Sequence, residues 1–193
     1  YQCIKLSSIK FFGEVTCINE YAFYNCTSLM SITIPETVEL IYDHVFSNCI
    51  SLTSFTIPKN IVIIEHNVFD NCQNLMSITI PENVTRIRSM AFYKYISLQS
   101  ISIPEKVESI ENLAFSYCQS LTSITIPKKV TTIQPSLFYS CINLTSIKIL
   151  GDVTSIKSGS FSNCEKLPSI IIPVNVKQSI QEHFLVVLVC NQS

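Results

Sequence analysis

The stretch SLMSITIPETVELIYDHVFSNCI, residues 28–50, decides the fold because the chain repeats its pattern every 23 residues. A repeat of fixed period indicates a stack of similar structural units. Phenylalanine keeps this period without an insertion, at Phe23, Phe46, Phe69, Phe92, Phe115, Phe138, Phe161 and Phe184. Leucine, cysteine and Val/Ile columns keep the same period. The sequence therefore predicts that residues 1–193 form one solenoid of about eight 23-residue repeats.

Each unit contains three short segments with different patterns. Leu29, Ile32 and Ile34 alternate with polar residues, which is typical of a half-buried strand. Pro35 ends this strand because proline cannot donate to a β-ladder, so the chain must turn over residues 35–37. A second extended stretch is expected around Val38 and Ile41. Residues 43–49 have the apolar spacing of one helical or 3₁₀ turn.

A unit of this size cannot bury its apolar face alone, so neighbouring units must stack. Their equivalent strands then pair in parallel, about 4.8 Å apart. The phenylalanine column becomes a ladder of stacked rings. The sequence predicts a mainly β repeat solenoid with a parallel sheet on one wall and short extended segments or turns on the others.

The residues LTSITIPKKVTTIQPSLFYSCIN, 121–143, match the pattern LxxIxIPxxVxxIxxxAFxxCxx and closely resemble the BspA-like class of leucine-rich repeats. The resemblance covers residues 3 to about 176. It implies a right-handed horseshoe or rod with the parallel sheet on its concave face. It also implies protein binding, since members of this class resemble surface proteins with which bacteria and parasitic protists adhere to host cells or matrix. Three departures are Tyr95 in the cysteine column, Leu150-Gly151 in place of the proline step, and a loss of register after Val176.

Composition excludes several classes of function. The formal net charge is −1 and only 14% of the residues are charged, so no basic stripe is available to bind nucleic acid. The longest apolar run near either end, residues 185–189, is far shorter than the roughly 20 residues of a transmembrane helix. Three glycines leave no phosphate-binding loop. Identical coils provide rows of residues rather than a catalytic cluster, so we expect no enzyme activity, no catalytic residue and no cofactor.

The chain has nine cysteines, and seven of them share one repeat column. They are Cys3, Cys26, Cys49, Cys72, Cys118, Cys141 and Cys164. Parallel, inward-pointing side chains are too far apart at their Cβ atoms for disulfides, and one wall cannot surround a zinc ion. A ladder of free, buried thiols without a metal is therefore expected. Cys17 and Cys190 lie outside the column, and an intermolecular bridge through either of them stays open.

Two surfaces are candidates for binding a protein partner. The outward positions of the predicted concave face form a hydroxyl lattice. These hydroxyls either recur simply because the repeat itself recurs, without a binding role, or form a wide docking face. Its candidate residues are Ser54, Thr56, Ser77, Thr79, Ser100, Ser102, Ser123 and Thr125. The rims vary more from coil to coil, and tyrosines there can anchor a partner. The rim candidates are Tyr93, Tyr117, Tyr139, His44 and His66, and the two histidines are expected to face solvent rather than bind a metal.

The C-terminal coil, residues 177–193, is irregular and shows no polar cap. Its apolar residues Leu185, Val186, Val187, Leu188 and Val189 would form a patch that monomers rarely expose. We expect a homodimer through this end, unless further repeats cover it.

Two functions remain open at this point. The resemblance favours a cell-surface adhesion module that binds a host protein or matrix. The free-thiol column and the missing leader after Tyr1 favour a cytoplasmic scaffold or regulatory subunit, for example of a phosphatase or another signalling enzyme.

Overall fold

The computed structural model describes residues 3–171, residue 176 and residues 187–189. They form a mainly β solenoid of about six turns with parallel strands, and none of the described residues is helical. The predicted repeat solenoid is confirmed. Its handedness, its curvature and the full count of eight repeats stay predictions.

The strands of the described residues lie on two walls of the solenoid. In chain order they are β1 Cys17–Ile18, β2 Leu40–Ile41, β3 Ile63–Ile64, β4 Arg86–Ile87, β5 Ser109–Ile110, β6 Ser123–Ile126, β7 Thr132–Ile133, β8 Ser146–Ile149, β9 Ser155–Ile156, β10 Ser169–Ile171 and β11 Val187–Val189. We call the wall with the longer strands β6, β8, β10 and β11 the strand face. The two-residue strands form the second wall.

Strands pair in parallel with the partner one repeat away. On the strand face β6 pairs with β8, and the isolated bridges Ser31–Ser54 and Ser100–Ser123 continue the same register towards the N-terminus. On the second wall the pairs fall into three groups: β1 with β2, β3 with β4 and β5, and β7 with β9. Strands β2 and β3 follow each other in the stack but belong to different groups.

The proline step turns the chain as predicted. The amide of Val38 donates a hydrogen bond to the carbonyl of Pro35 at 3.0 Å, which closes a tight turn between the two walls. The same bond recurs at Pro58, Pro81, Pro104 and Pro127. In the coil that lacks proline, the amide of Val153 instead bonds to the carbonyl of Gly151 at 3.1 Å, one residue closer.

Residues 43–49 and their equivalents form a third side, which we call the turn wall. Two successive turns close there, since the amides of Ser47 and Cys49 donate to the carbonyls of His44 and Phe46. These are the short turns that the sequence predicted, but they do not join into a helix. His44 and Asn48 have φ of 58° and 62°, in the left-handed region that interrupts a helix.

Two left-handed positions recur in the successive coils of the turn wall. The first column is Tyr21, His44, Asn67, Met90, Leu113, Ser136 and Gly159, and the second is Asn25, Asn48, Asn71, Lys94, Tyr117, Ser140 and Asn163. Left-handed backbone costs a non-glycine residue about 1–2 kcal/mol. In return, the backbone amides of each coil donate hydrogen bonds to carbonyls of the next coil. Three such bonds, 2.8–3.0 Å long, are His44 to His66, Phe46 to Val68 and Asn48 to Asp70. The left-handed residues thus lie in the segment that forms a second set of hydrogen bonds between coils, in addition to those between the paired strands.

Stacked phenylalanines fill the core. The rings of Phe69, Phe92 and Phe115 are fully buried or nearly so, with centroids 5.9 and 5.3 Å apart and planes 6° and 11° from parallel. The same stacking links the described members of the column from Phe23 to Phe161. Phe184 lies outside the described residues. The predicted ring ladder is therefore present.

Tyr95 interrupts the cysteine column inside this core. Its side chain is fully buried, and its hydroxyl has no hydrogen-bond partner among the described residues. Burial raises the pKa of this phenol far above its usual value, with the neighbouring Cys72 and Cys118 adding to the effect. The phenol therefore stays neutral, and its lost hydration is uncompensated.

Replacing Tyr95 with phenylalanine is expected to stabilise the protein by about 1 kcal/mol, because an unsatisfied buried polar group costs about 1–3 kcal/mol. Urea unfolding followed by circular dichroism measures the change. Tyr117→Phe is the matched control, since the Tyr117 ring is only half-buried, and it should stay within about 0.5 kcal/mol. A loss of stability in Tyr95→Phe would show that the hydroxyl is satisfied in solution.

Candidate functional site

The strand face presents a continuous row of exposed hydroxyl groups. All eight candidate positions on this face are exposed: Ser54, Thr56, Ser77, Thr79, Ser100, Ser102, Ser123 and Thr125. The strand pattern explains this, since Ile124 and Ile126 point into the core while Ser123 and Thr125 point outward.

These hydroxyls differ from those on the neighbouring column. Thr53, Thr122 and Thr145 donate to carbonyls of the preceding coil at 3.0–3.3 Å. Among the described residues, the eight strand-face hydroxyls make no side-chain hydrogen bond to the protein. Their donors and acceptors are therefore available to a partner molecule.

The three rim tyrosines form one aromatic cluster on the turn wall. Tyr93 and Tyr117 lie 5.5 Å apart between ring centroids and Tyr117 and Tyr139 lie 5.4 Å apart, both edge to face. Each ring is half-buried. The Lys94 ammonium lies 5.3 Å from the centre of the Tyr93 ring. Sequence reasoning placed these residues on one rim, and the structure brings them into contact.

The two histidine candidates do not form a pair. The ring of His44 stacks on Tyr21 with centroids 4.8 Å apart, whereas Nδ1 of His66 lies 4.0 Å from Oε2 of Glu111. Both side chains are half-buried. Within the described residues, no three His, Cys, Asp or Glu side chains are grouped so as to hold a metal ion.

A charged network on the second wall was missed by the sequence reasoning. Nε of Arg88 lies 2.9 Å from Oε2 of Glu65, as a close ion pair rather than a well-aligned hydrogen bond, and Nη1 lies 3.9 Å from Oε1 of Glu111. Burial raises the pKa of Glu65, and the Arg88 charge opposes that shift. The signal was present, because residues 65, 88 and 111 occupy one column of three successive repeats.

The cysteine column lies in the core from Cys26 to Cys164, whereas its first member, Cys3, is exposed, so the expectation of a buried thiol was wrong at that position. Cys72 and Cys141 donate to the carbonyls of Phe46 and Phe115 at 3.3 and 3.1 Å, and Cys49, Cys118 and Cys164 make the equivalent bond. Burial raises the pKa of Cys49 to about 12, so this thiol stays protonated at neutral pH. The described cysteines are all free, with Cys3 and Cys17 exposed, while Cys190 lies outside the described residues.

The expected dimer segment is only partly described. Leu185 and Val186 lie outside the described residues. The backbone of Val187–Val189, which includes Leu188, forms β11 and pairs in parallel with β10, Ser169 opposite Val187. This offset of 18 residues is shorter than the 23 of the other pairs, in line with the loss of register after Val176. The homodimer stays a prediction.

In the described part of the chain, no helix is long and apolar enough to cross a membrane.

Comparisons with known proteins agree with this architecture. The family model described as the BspA type leucine rich repeat region matches in six copies, over residues 1–99 and 85–186. The crystal structure of a leucine-rich repeat protein from T. pallidum is 31% identical, with a TM-score of 0.77 over 80% of this chain and 72% of that one. No curated protein sequence matches the chain.

Two more distant structures show the fold alone. A leucine rich cell surface protein from Faecalibacterium prausnitzii is 22% identical, with a TM-score of 0.50 over 91% of this chain and 69% of that one. The pneumococcal vaccine antigen PcpA is 18% identical, with a TM-score of 0.55 over 91% of this chain and 58% of that one. This repeat family supports a protein-interaction module rather than an enzyme. With its family model matched across nearly the whole length, the chain belongs to the BspA-type leucine-rich repeat family.

Proposed function

We propose that this chain is an adhesion or recognition module that binds a partner protein through its strand face. The observation that carries the proposal is the row of exposed hydroxyls that make no hydrogen bond within the described chain. Repeat solenoids commonly use such extended faces for binding. Many weak polar contacts spread over several coils would give a wide interface whose affinity depends on how many coils take part.

The partner that fits the proposal is a host surface or matrix protein, met at the surface of the cell that makes this chain. A structure of the same fold is described as a leucine rich cell surface protein, which is in keeping with this placement. The tyrosine cluster on the turn wall, formed by Tyr93, Tyr117 and Tyr139, offers aromatic anchors beside the hydroxyl row.

Beads coated with the purified chain should adhere to cultured host cells or to extracellular matrix, and flow cytometry counts them. The double variant Thr79→Glu/Ser102→Glu places carboxylates in the middle of the strand face. Adhesion should then fall at least about tenfold, because an unpaired charge buried in an interface costs more than the roughly 1.4 kcal/mol of a tenfold change.

The matched control is Ser109→Glu/Thr131→Glu, which adds the same charge to the second wall and should leave adhesion unchanged. Equal losses in the two variants would mean that charge alone, and not the strand face, controls adhesion. Beads that fail to adhere at all would contradict the proposal.

A second candidate function is an intracellular scaffold or regulatory subunit of a signalling enzyme. The buried, protonated thiol column favours it, because unpaired cysteines are typical of a reducing compartment. Antibody labelling of intact cells against permeabilised cells separates the two. Signal on intact cells supports adhesion, and signal only after permeabilisation supports the scaffold.

A further inference from the structure

The second wall carries an apolar groove between β2 and β3 that the fold does not require. Leu40, Val62 and Tyr42 line it and are 52%, 47% and 39% exposed. Ile63, Asn60, Glu39 and Glu65 complete a space of about 460 Å³. We call it the β2–β3 groove. Its volume lies within the range of about 300–1,000 Å³ that is typical of ligand pockets.

The other coils of the same wall show that these apolar residues are dispensable for folding. The position of Leu40 and Ile63 is occupied by Arg86, Ser109, Thr132 and Ser155 in later coils. The position of Val62 is occupied by Thr85, Glu108, Thr131 and Thr154. Those coils have the same fold without outward apolar residues, since only the inward isoleucine of each of their two-residue strands is buried. The outward apolar side chains of two adjacent coils therefore need an explanation other than the core.

The backbone also departs from the repeat at this point. Strands β2 and β3 are successive in the stack, yet β2 pairs only with β1 and β3 only with β4 among the described strands. The groove thus lies at one of two interruptions in this ladder, the other being between β5 and β7.

The charged residues that line the groove, Glu39 and Glu65, are both acidic. Residues 3–65 contain six carboxylates and three lysines, whereas residues 66–171 contain seven carboxylates and nine lysines or arginines. Glu39 lines the groove, is exposed, and has no ion-pair partner among the described residues. Glu65, also in the lining, is paired with Arg88 on the far side. A ligand with positive charge is therefore favoured over one with negative charge.

We propose that the β2–β3 groove binds a basic segment of a partner protein, with apolar side chains seated between Leu40 and Ile63 and a lysine or arginine facing Glu39. The segment alternates basic and apolar residues, so that one side fills the groove while the other meets the acidic rim. This surface lies on a different wall from the strand face. A groove that binds no peptide would leave the proposed adhesion function unaffected. Likewise, a strand face that mediates no adhesion would leave the proposal for the groove unaffected.

Fluorescence anisotropy with a labelled peptide of alternating lysine and leucine tests the proposal. Two comparison peptides replace lysine with glutamate or leucine with serine. The wild-type chain should bind the lysine–leucine peptide, more weakly at higher salt, and should bind each comparison peptide at least about tenfold more weakly.

The decisive variant is Leu40→Ser/Val62→Thr, because the chain itself carries serine and threonine at the equivalent positions 109 and 85, so the fold is retained. Affinity for the lysine–leucine peptide should fall roughly tenfold or more as two apolar contacts are lost. Met76→Thr is the matched control. Met76 is a 64% exposed apolar residue on another wall, in a column where Thr53, Thr122 and Thr145 occur, and its replacement should change the affinity less than about twofold.

Cys17 supplies a second readout, because it is exposed and pairs with Leu40 at the edge of the groove. Bound peptide should slow the alkylation of Cys17 by iodoacetamide but not that of Cys3, as mapped by mass spectrometry.

Equal affinity of the wild type and the double variant would overturn the proposal, as would equal binding of the lysine–leucine and glutamate–leucine peptides. A dimer in light scattering that the double variant abolishes would overturn it too, by assigning the groove to a second copy of the chain.

Discussion

Replacing Phe92 with alanine is expected to lower the free energy of unfolding by about 3–5 kcal/mol, a large share of the stability of a domain of this size. The ring is fully buried and stacks on both Phe69 and Phe115. Its removal leaves a cavity in the middle of the ladder, where the coils on either side cannot close the gap without breaking the bonds of the turn wall. Urea unfolding followed by circular dichroism measures the loss.

The control for this prediction is Phe12→Ala, which removes the same side chain from a position that is 87% exposed. Its effect should stay within about 0.5 kcal/mol. Similar urea midpoints of unfolding for Phe92→Ala and Phe12→Ala would show that the ring column does not stabilise the core.

Replacing Gly151 with alanine should cost about 3 kcal/mol, at the upper end for overpacking. A Cβ at this position would lie 2.0 Å from the carbonyl oxygen of Lys128 and 2.7 Å from its carbonyl carbon. Both are backbone atoms of the preceding coil, so no side chain can rotate away and the two coils must separate. The same unfolding measurement applies, and faster amide exchange in the turn after Ile126 would locate the strain.

Gly13→Ala separates this clash from the ordinary cost of replacing glycine. No neighbouring atom lies within 4 Å of a Cβ at Gly13, but its φ is +78°. Alanine there should cost about 1 kcal/mol, from backbone strain alone. If Gly151→Ala costs no more than Gly13→Ala, the close approach to Lys128 is relieved in solution.

The sequence was sufficient for the parts of this fold that depend on side-chain type alone. The columns of Phe92 and Leu98 predicted the stacked core, and Pro35 predicted the turn between two walls. Repetition made these predictions secure, because each column was observed several times in a single chain.

The left-handed positions of the turn wall were not predictable in the same way. Glycine is the usual signal for such backbone, and among the two columns only Gly159 carries it. Met90 and Leu113 hold the same geometry without any local preference for it. The bonds between coils impose the conformation, and those bonds exist only after the coils have stacked.

The β2–β3 groove was missed for a related reason. Leu40, Val62 and Ile63 fit the pattern of a β-strand, and within a single coil nothing separates outward from inward apolar residues. Only a comparison of columns does so, because polar residues replace Leu40 in later coils while isoleucine recurs at the position of Ile41. The two-residue strands of the structure place Ile41 and Ile64 inward and their neighbours outward. The eight hydroxyl positions of the strand face, by contrast, followed directly from the alternation around Ile124.

The amide bonds of the turn wall run from each coil to the next, and this has a mechanical consequence. A tether that pulls on the two ends of the molecule loads the coils in series, since each coil contacts only its neighbours. The stack would then lengthen in steps, with one 23-residue coil released at a time. Each released coil adds roughly 70–80 Å to the extended length of the chain. Under the proposed adhesion function, this stepwise release would dissipate a sudden pulling force while the remaining coils stay folded.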